Sequence, residues 1–183
     1  MSKKPAVAFV AVALALYVSI LGAPAFGERY PAPTKAGIQV GFAPGGTALK
    51  LVIDLIGQAR SSILVACYEF TDRDIAAAVE EAAHRGIKVR IVADGGAAKA
   101  KYSQVSILGA AGIPIRIATR YAIMHNKFMV VDGVTVETGS FNYTTSASKA
   151  NAENVIVLRN VPELAKIYGA EWQRLWDEAV GRP

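Results

Sequence analysis

Cysteine occurs once in the 183 residues, at Cys67, and histidine only twice, at His84 and His125. A lone cysteine excludes a disulfide-stapled scaffold and a cysteine-based zinc site. Glycine (16) and proline (8) are too few for a collagen-like fibre, and a hydrophobic share of 52% excludes a disordered chain. Acids are outnumbered by bases, 15 to 20, for a formal net charge of +5. Long apolar runs are missing beyond the first 25 residues.

The one long run lies at the front. Lys3 and Lys4 precede Ala6 to Leu21, 16 residues in which only Ser19 breaks the apolar series, and Ala23-Pro24-Ala25 follows. A basic start, a short apolar stretch and a small-x-small end describe a secretory signal peptide over residues 1–25. A membrane span needs about 20 apolar residues. Removing Lys3 and Lys4 with the signal lowers the net charge from +5 to +3 and leaves 158 residues. The protein is therefore expected to be exported, either periplasmic or secreted. Residues 26–37, with Pro31 and Pro33, read as a linker, and residues 38–180 as a single domain.

Within that domain the pattern alternates. Strands are expected at 38–42, 63–70, 87–93 and 113–117, with helices between them from Thr47, from a Thr71-led cap and up to Gly112. Such an order predicts an α/β fold with parallel strands and helices on the sheet faces. Gly95 to Lys101 reads as a basic loop. A last helix is expected over 163–180.

The chemistry gathers between His125 and Glu153. Asp132-Gly133, flanked by β-branched residues, signals a two-residue hairpin. That loop places Val131 opposite Val134, Lys127 opposite Thr138 and His125 opposite Ser140. His125, Lys127, Thr138, Ser140 and Asn142 would then share one face, with His125 and Lys127 about 6.6–6.8 Å apart along their strand. A face of His, Lys, Ser and Asn suits an anion. Toward a phosphodiester, Lys127 can offset charge building in the transition state, and Ser140 and Asn142 can donate hydrogen bonds. A neutral His125 can attack phosphorus to give a phosphohistidine. Glu153 is the candidate carboxylate to hold the other ring nitrogen. Each residue also has a bland reading: Asp132 as a turn residue, Lys127 as a solvated lysine, the whole set as the wet side of a hairpin.

The combined pattern His125-x-Lys127-x4-Asp132, then Gly139-Ser140-x-Asn142, then Glu153, resembles the HKD signature of the phospholipase D superfamily. From Ile38 to Trp176 the chain is similar to the small secreted bacterial endonucleases within it. The resemblance implies an α/β sandwich around a mixed, mostly parallel sheet with helices on both faces. It implies metal-independent phosphodiester hydrolysis without a cofactor, with His125 as nucleophile. Lys127, Ser140 and Asn142 would surround the phosphate, and Glu153 would orient His125. Asp132 belongs to the motif's catalytic set and is expected to support the structure more than the chemistry. Superfamily members with a single motif pair two chains, so a homodimer with a shared active site is expected, the second His125 supplying the acid. His84 reads instead as a helix C-terminal residue. Nucleic acid is the expected substrate, with phospholipid headgroups as the alternative and a non-catalytic nucleic-acid-binding protein as the second alternative.

Overall fold

The computed structural model describes residues 35–181. The expected signal peptide, and the linker up to residue 34, lie outside the described residues. Among the described residues fourteen short elements follow one another. They are β1 (Gly37–Ala43), α1 (Thr47–Gln58), β2 (Ser62–Cys67), α2 (Arg73–His84), β3 (Lys88–Asp94) and a 3-10 turn (Ala97–Lys99). Then come α3 (Val105–Ala110), β4 (Ile115–Ala118), β5 (Lys127–Val131), β6 (Thr135–Gly139), α4 (Thr145–Lys149), β7 (Glu153–Arg159), α5 (Pro162–Glu178) and β8 (Val180–Gly181).

The strands form one eight-stranded sheet in the order β1-β7-β6-β5-β2-β3-β4-β8. The sheet is mixed, as expected, but its parallel part is smaller than "mostly". Only β2–β3 and β3–β4 are parallel, and the other five neighbouring pairs are antiparallel. The reason is connection length. Parallel neighbours need a crossover of a dozen residues, whereas β5 and β6 are joined by three. β1, expected to start the parallel series, lies at the far edge against β7.

Two apolar layers cover the sheet. One face packs against α1, α2 and α3 through Val52, Leu55, Ile75, Val79 and Leu108 over Ile63, Val65, Ile91 and Met129. The other packs against α5 through Ala165, Trp172 and Leu175 over Ala66, Val92, Phe128 and Val136. Trp172 is fully buried, and its indole N–H donates to the carbonyl of Val65 at 2.8 Å. α5 stops short of β1, so Ile38, Val40 and Phe42 stay 67%, 53% and 60% exposed. Among the described residues no helix is long and apolar enough to cross a membrane.

Three local expectations change. α2 is capped by Asp72, whose side chain accepts from the N–H groups of Asp74 and Ile75. Thr47 does not cap α1 but is its first residue; its hydroxyl donates to the Phe42 carbonyl and accepts from the Phe42 N–H, both at 2.8 Å. β2 ends at Cys67, so Tyr68 and Glu69 leave the sheet, and Phe70 forms an isolated bridge with Tyr143.

The hairpin register shifts by one residue. Val131 pairs with Thr135, Met129 with Glu137 and Phe128 with Thr138. Asp132 and Gly133 take the left-handed conformation expected of the turn (φ 55 and 67). Val134 donates back to Val131, but its carbonyl accepts from the N–H of Val161 at 2.7 Å, so it leaves the ladder as an extra residue. A one-residue slip reverses faces. Thr138 therefore lies with Phe128 on the α5 side, and not beside Lys127 as the two-residue loop predicted.

Asp132 is a latch. Its carboxylate accepts from the N–H groups of Arg60, Ser61 and Ser62 and from the Ser61 hydroxyl, at 2.7–3.1 Å. It ties the hairpin tip to the loop before β2. Five residues of strand separate it from Lys127, roughly 17 Å, so it stands apart from the His125 and Lys127 end of the sheet. Asp132→Ala should lower the unfolding free energy by about 2–3 kcal/mol, read by urea titration. The kcat of the folded fraction should stay within about threefold of wild type.

Candidate active site

The site forms where β2 ends and β5 begins. Lys127 pairs with Cys67, the last residue of β2. His125 sits two residues earlier, in the segment leading into β5, and is exposed. The segment is fixed from below by Asp94 at the end of β3. One Asp94 oxygen accepts from the Met124 N–H at 2.8 Å, and the other from Gly96 and Ala97, both at 2.9 Å. His125 thus follows directly on a pinned peptide.

Lys127 is 8% exposed. Its ammonium donates to the His125 carbonyl at 2.7 Å, which folds the side chain back toward the histidine. Burial pushes its pKa below the usual lysine range, while the nearby carboxylates of Glu153 and Glu69 pull it back up. A partly desolvated cation gains from an incoming anion, which offsets the cost of burying its charge.

The second rim comes from the end of β6 and the start of β7. A Cβ on Gly139 would lie 2.1 Å from the Asn154 carbonyl oxygen, so only glycine permits this approach. Just beyond it, the Ser140 hydroxyl donates to Glu153 at 2.5 Å and accepts from the Asn154 N–H at 3.1 Å. The other Glu153 oxygen accepts from Asn151 at 3.0 Å. Glu153 is therefore engaged by Ser140 and Asn151, and among the described residues no hydrogen bond joins it to His125. Asn142 is half-buried, and its side-chain oxygen has no hydrogen-bond partner.

His125, Lys127, Ser140, Asn142 and Glu153 thus all lie on segments at the same end of the sheet; Asp132 does not. His84 closes α2, which runs back toward the start of β3 and so to the opposite end. A groove of about 320 Å³ opens beside His125 and Lys127, lined by Phe128, Thr138, Ile167, Tyr168 and Glu171 among others.

Residues 52–176 match the family described as Cardiolipin synthase, PLD-like domain. The chain belongs to the phospholipase D superfamily. It is 40% identical over 131 residues to a phospholipase D of Rickettsia bellii, covering 72% of this chain and 65% of that relative. It is 35% identical to a mitochondrial cardiolipin hydrolase of Chlamydomonas reinhardtii, covering 72% and 58%. The crystal structure of Nuc, a phospholipase D family member from Salmonella typhimurium, superposes with a TM-score of 0.79 at 38% identity, over 81% of this chain and 99% of that one. The domain is accordingly of the phosphodiester-hydrolase class.

Two neighbours of this phospholipase D-type site were not singled out in the sequence. Tyr68 lies against both His125 and Lys127. The apolar run makes it one more residue of a strand over 63–70, and only the early end of β2 brings it to the site. Glu137 falls inside the hairpin pattern without standing out from it, yet it is fully buried beneath the site. Its Oε2 accepts from the Tyr143 hydroxyl at 2.6 Å, and its Oε1 has no partner. Burial pushes its pKa up to about 8, against the opposing hydrogen bond of Tyr143.

Glu137 gives a signed pH dependence. Between its ordinary value of 4.5 and about 8, the folded protein holds a proton that the unfolded chain has lost. Stability then falls as pH rises through that window and levels off above it. Glu137→Gln keeps an acceptor for Tyr143 and removes the titration. Its unfolding free energy should be flatter between pH 5 and pH 8 than wild type, by on the order of a few kcal/mol, in urea melts across that range.

Proposed function

We propose that the protein is an exported, metal-independent phosphodiesterase that cleaves nucleic acid through a phosphohistidine at His125. The observation that carries this reading is the Lys127 ammonium, buried and folded back 2.7 Å from the His125 carbonyl. It supplies, beside a nucleophilic imidazole, the positive charge a phosphodiester transition state calls for.

The steps follow from the groups present. A ring nitrogen of His125 attacks phosphorus, the N–P bond forms and the bond to the leaving oxygen breaks. The leaving oxygen takes a proton from a second imidazolium. Water, deprotonated by that same imidazole, then displaces His125. Lys127 ion-pairs with the non-bridging oxygens. Asn142 completes the anion pocket with its side-chain N–H groups, and the Ser140 hydroxyl turns to the phosphate by giving up its hydrogen bond to Glu153.

His84 cannot be the second imidazole from the opposite end of the sheet, so a second chain must bring its own His125. A homodimer is supported by the uncovered strip Ile38, Val40 and Phe42. It runs along β1 toward the site, where Phe42 pairs with Asn154, and it would gain by burial against another copy. Contacts to backbone phosphates alone give little sequence preference and strong salt sensitivity. A phospholipid substrate is the second reading, favoured by the apolar groove wall of Phe128, Ile167 and Tyr168 and by the lipid-cleaving names of the relatives.

Purified mature protein in EDTA should cleave plasmid DNA and acquire an acid-labile phosphate, while His125→Ala should lose both, by about 10³-fold or more in rate. Dependence on added metal sinks the metal-free mechanism. Cleavage confined to phosphatidylcholine vesicles moves the assignment to the second reading. An active monomer in sedimentation removes the shared site. Amino-terminal sequencing of exported protein should begin near Phe26.

A further inference from the structure

We propose that Tyr68 is the positioning residue of this site, its ring face serving as the common support that holds the His125 imidazole and the Lys127 ammonium together. The inference rests on the proposed roles of His125 and Lys127 and adds a residue outside the motif.

The His125 ring is exposed, and among the described residues it makes no hydrogen bond. Its contact is with Tyr68, ring centroids 4.9 Å apart and tilted by 58°. An aromatic wall at that distance restricts the rotation of a side chain that nothing else holds. The Lys127 ammonium lies 5.4 Å from the centroid of the same ring. The negative face of an aromatic ring attracts a cation most strongly where water is excluded. Lys127 is such a case, with one hydrogen bond to the His125 carbonyl and little exposure. Tyr68 can make both contacts because β2 ends one residue earlier, at Cys67, beneath Lys127.

The acid–base surroundings of Lys127 are Glu153 from β7, Glu69 beside Tyr68, His125 on its own segment, Cys67 on β2 and Glu171 across the groove from α5. Cys67 is neutral, its thiol pushed up to about 12 by burial and by Asp94. Loss of the ring therefore leaves burial opposed only by Glu153, Glu69 and the His125 carbonyl, so Lys127 gives up its proton at lower pH.

The test uses steady-state kinetics on bis(p-nitrophenyl) phosphate, a diester too small to need further contacts. Tyr68→Phe keeps the ring face and should stay within about threefold of wild type. Tyr68→Leu should lower kcat tenfold or more with KM within about threefold, and should move the alkaline limb of its pH profile to lower pH. The proposal is overturned if Tyr68→Leu matches wild type, or if Tyr68→Phe falls as far as Tyr68→Leu. It is overturned also if the loss in Tyr68→Leu leaves the alkaline limb in place. His125→Ala in the same assay separates the two levels: retained activity there removes the reading of the site itself, whatever Tyr68 does.

Discussion

The carbonyl of Val134 accepts its hydrogen bond from Val161, at the entry to α5, and so lies outside the ladder between β5 and β6. One extra residue in one strand decides which side chains of β6 face which layer. It sends Thr138 and Val136 to the α5 side, where Val136 joins Phe128 and Trp172 in the core. It sends Glu137 to the opposite side, beneath the site with Met129 and Cys67. It also brings Gly139, a residue without a side chain, to the place beside Lys127 where the expected register put Thr138. Asp132, five hydrogen bonds deep in the loop before β2, holds the tip of the hairpin in this slipped arrangement.

The site is built from groups whose electrostatic demands differ. Lys127 is buried enough to lose part of its hydration, and it is compensated by carboxylates, a carbonyl and an aromatic face. Glu137 is buried more deeply and has one donor, so burial dominates and its carboxyl holds its proton into mildly alkaline conditions. Its partner Tyr143, also fully buried, has its hydroxyl pushed well above the usual range by burial and by Glu137 itself. Tyr143 in turn binds the start of the α2 segment, its carbonyl accepting from the N–H groups of Thr71 and Asp72. The layer under Ser140 and Asn142 is thus joined to the loop that carries Tyr68.

Much of this was legible from residue order. The strands and long helices followed from periodicity, because a half-covered strand and an amphipathic helix each leave a repeat. His125, Lys127, Ser140 and Glu153 were legible from spacing, since a hairpin and its next strand bring both rims together. The register was not. Asp-Gly specifies the turn, but the bulge depends on Val161, 27 residues downstream, and no local signal reports that. Glu137 was hidden for the same reason, its face being set by the slip. α4 and β8 were too short to show a period. The parallel share of the sheet is smaller than the alternating order suggests because β1 looks like the first strand of such a series, while its partner lies more than a hundred residues away.

The close approach of Gly139 to Asn154 has a further consequence. Here the floor of the site is bare main chain, with no side chain to enlarge, shrink or recharge. Evolution can rework such a pocket only from its margins. Those margins belong to α5 and the segment before β5, with Ile167, Tyr168, Glu171 and Asn126 among them. A lineage built on this floor would change substrates by redecorating its walls, and the chemistry at the bottom would stay the same.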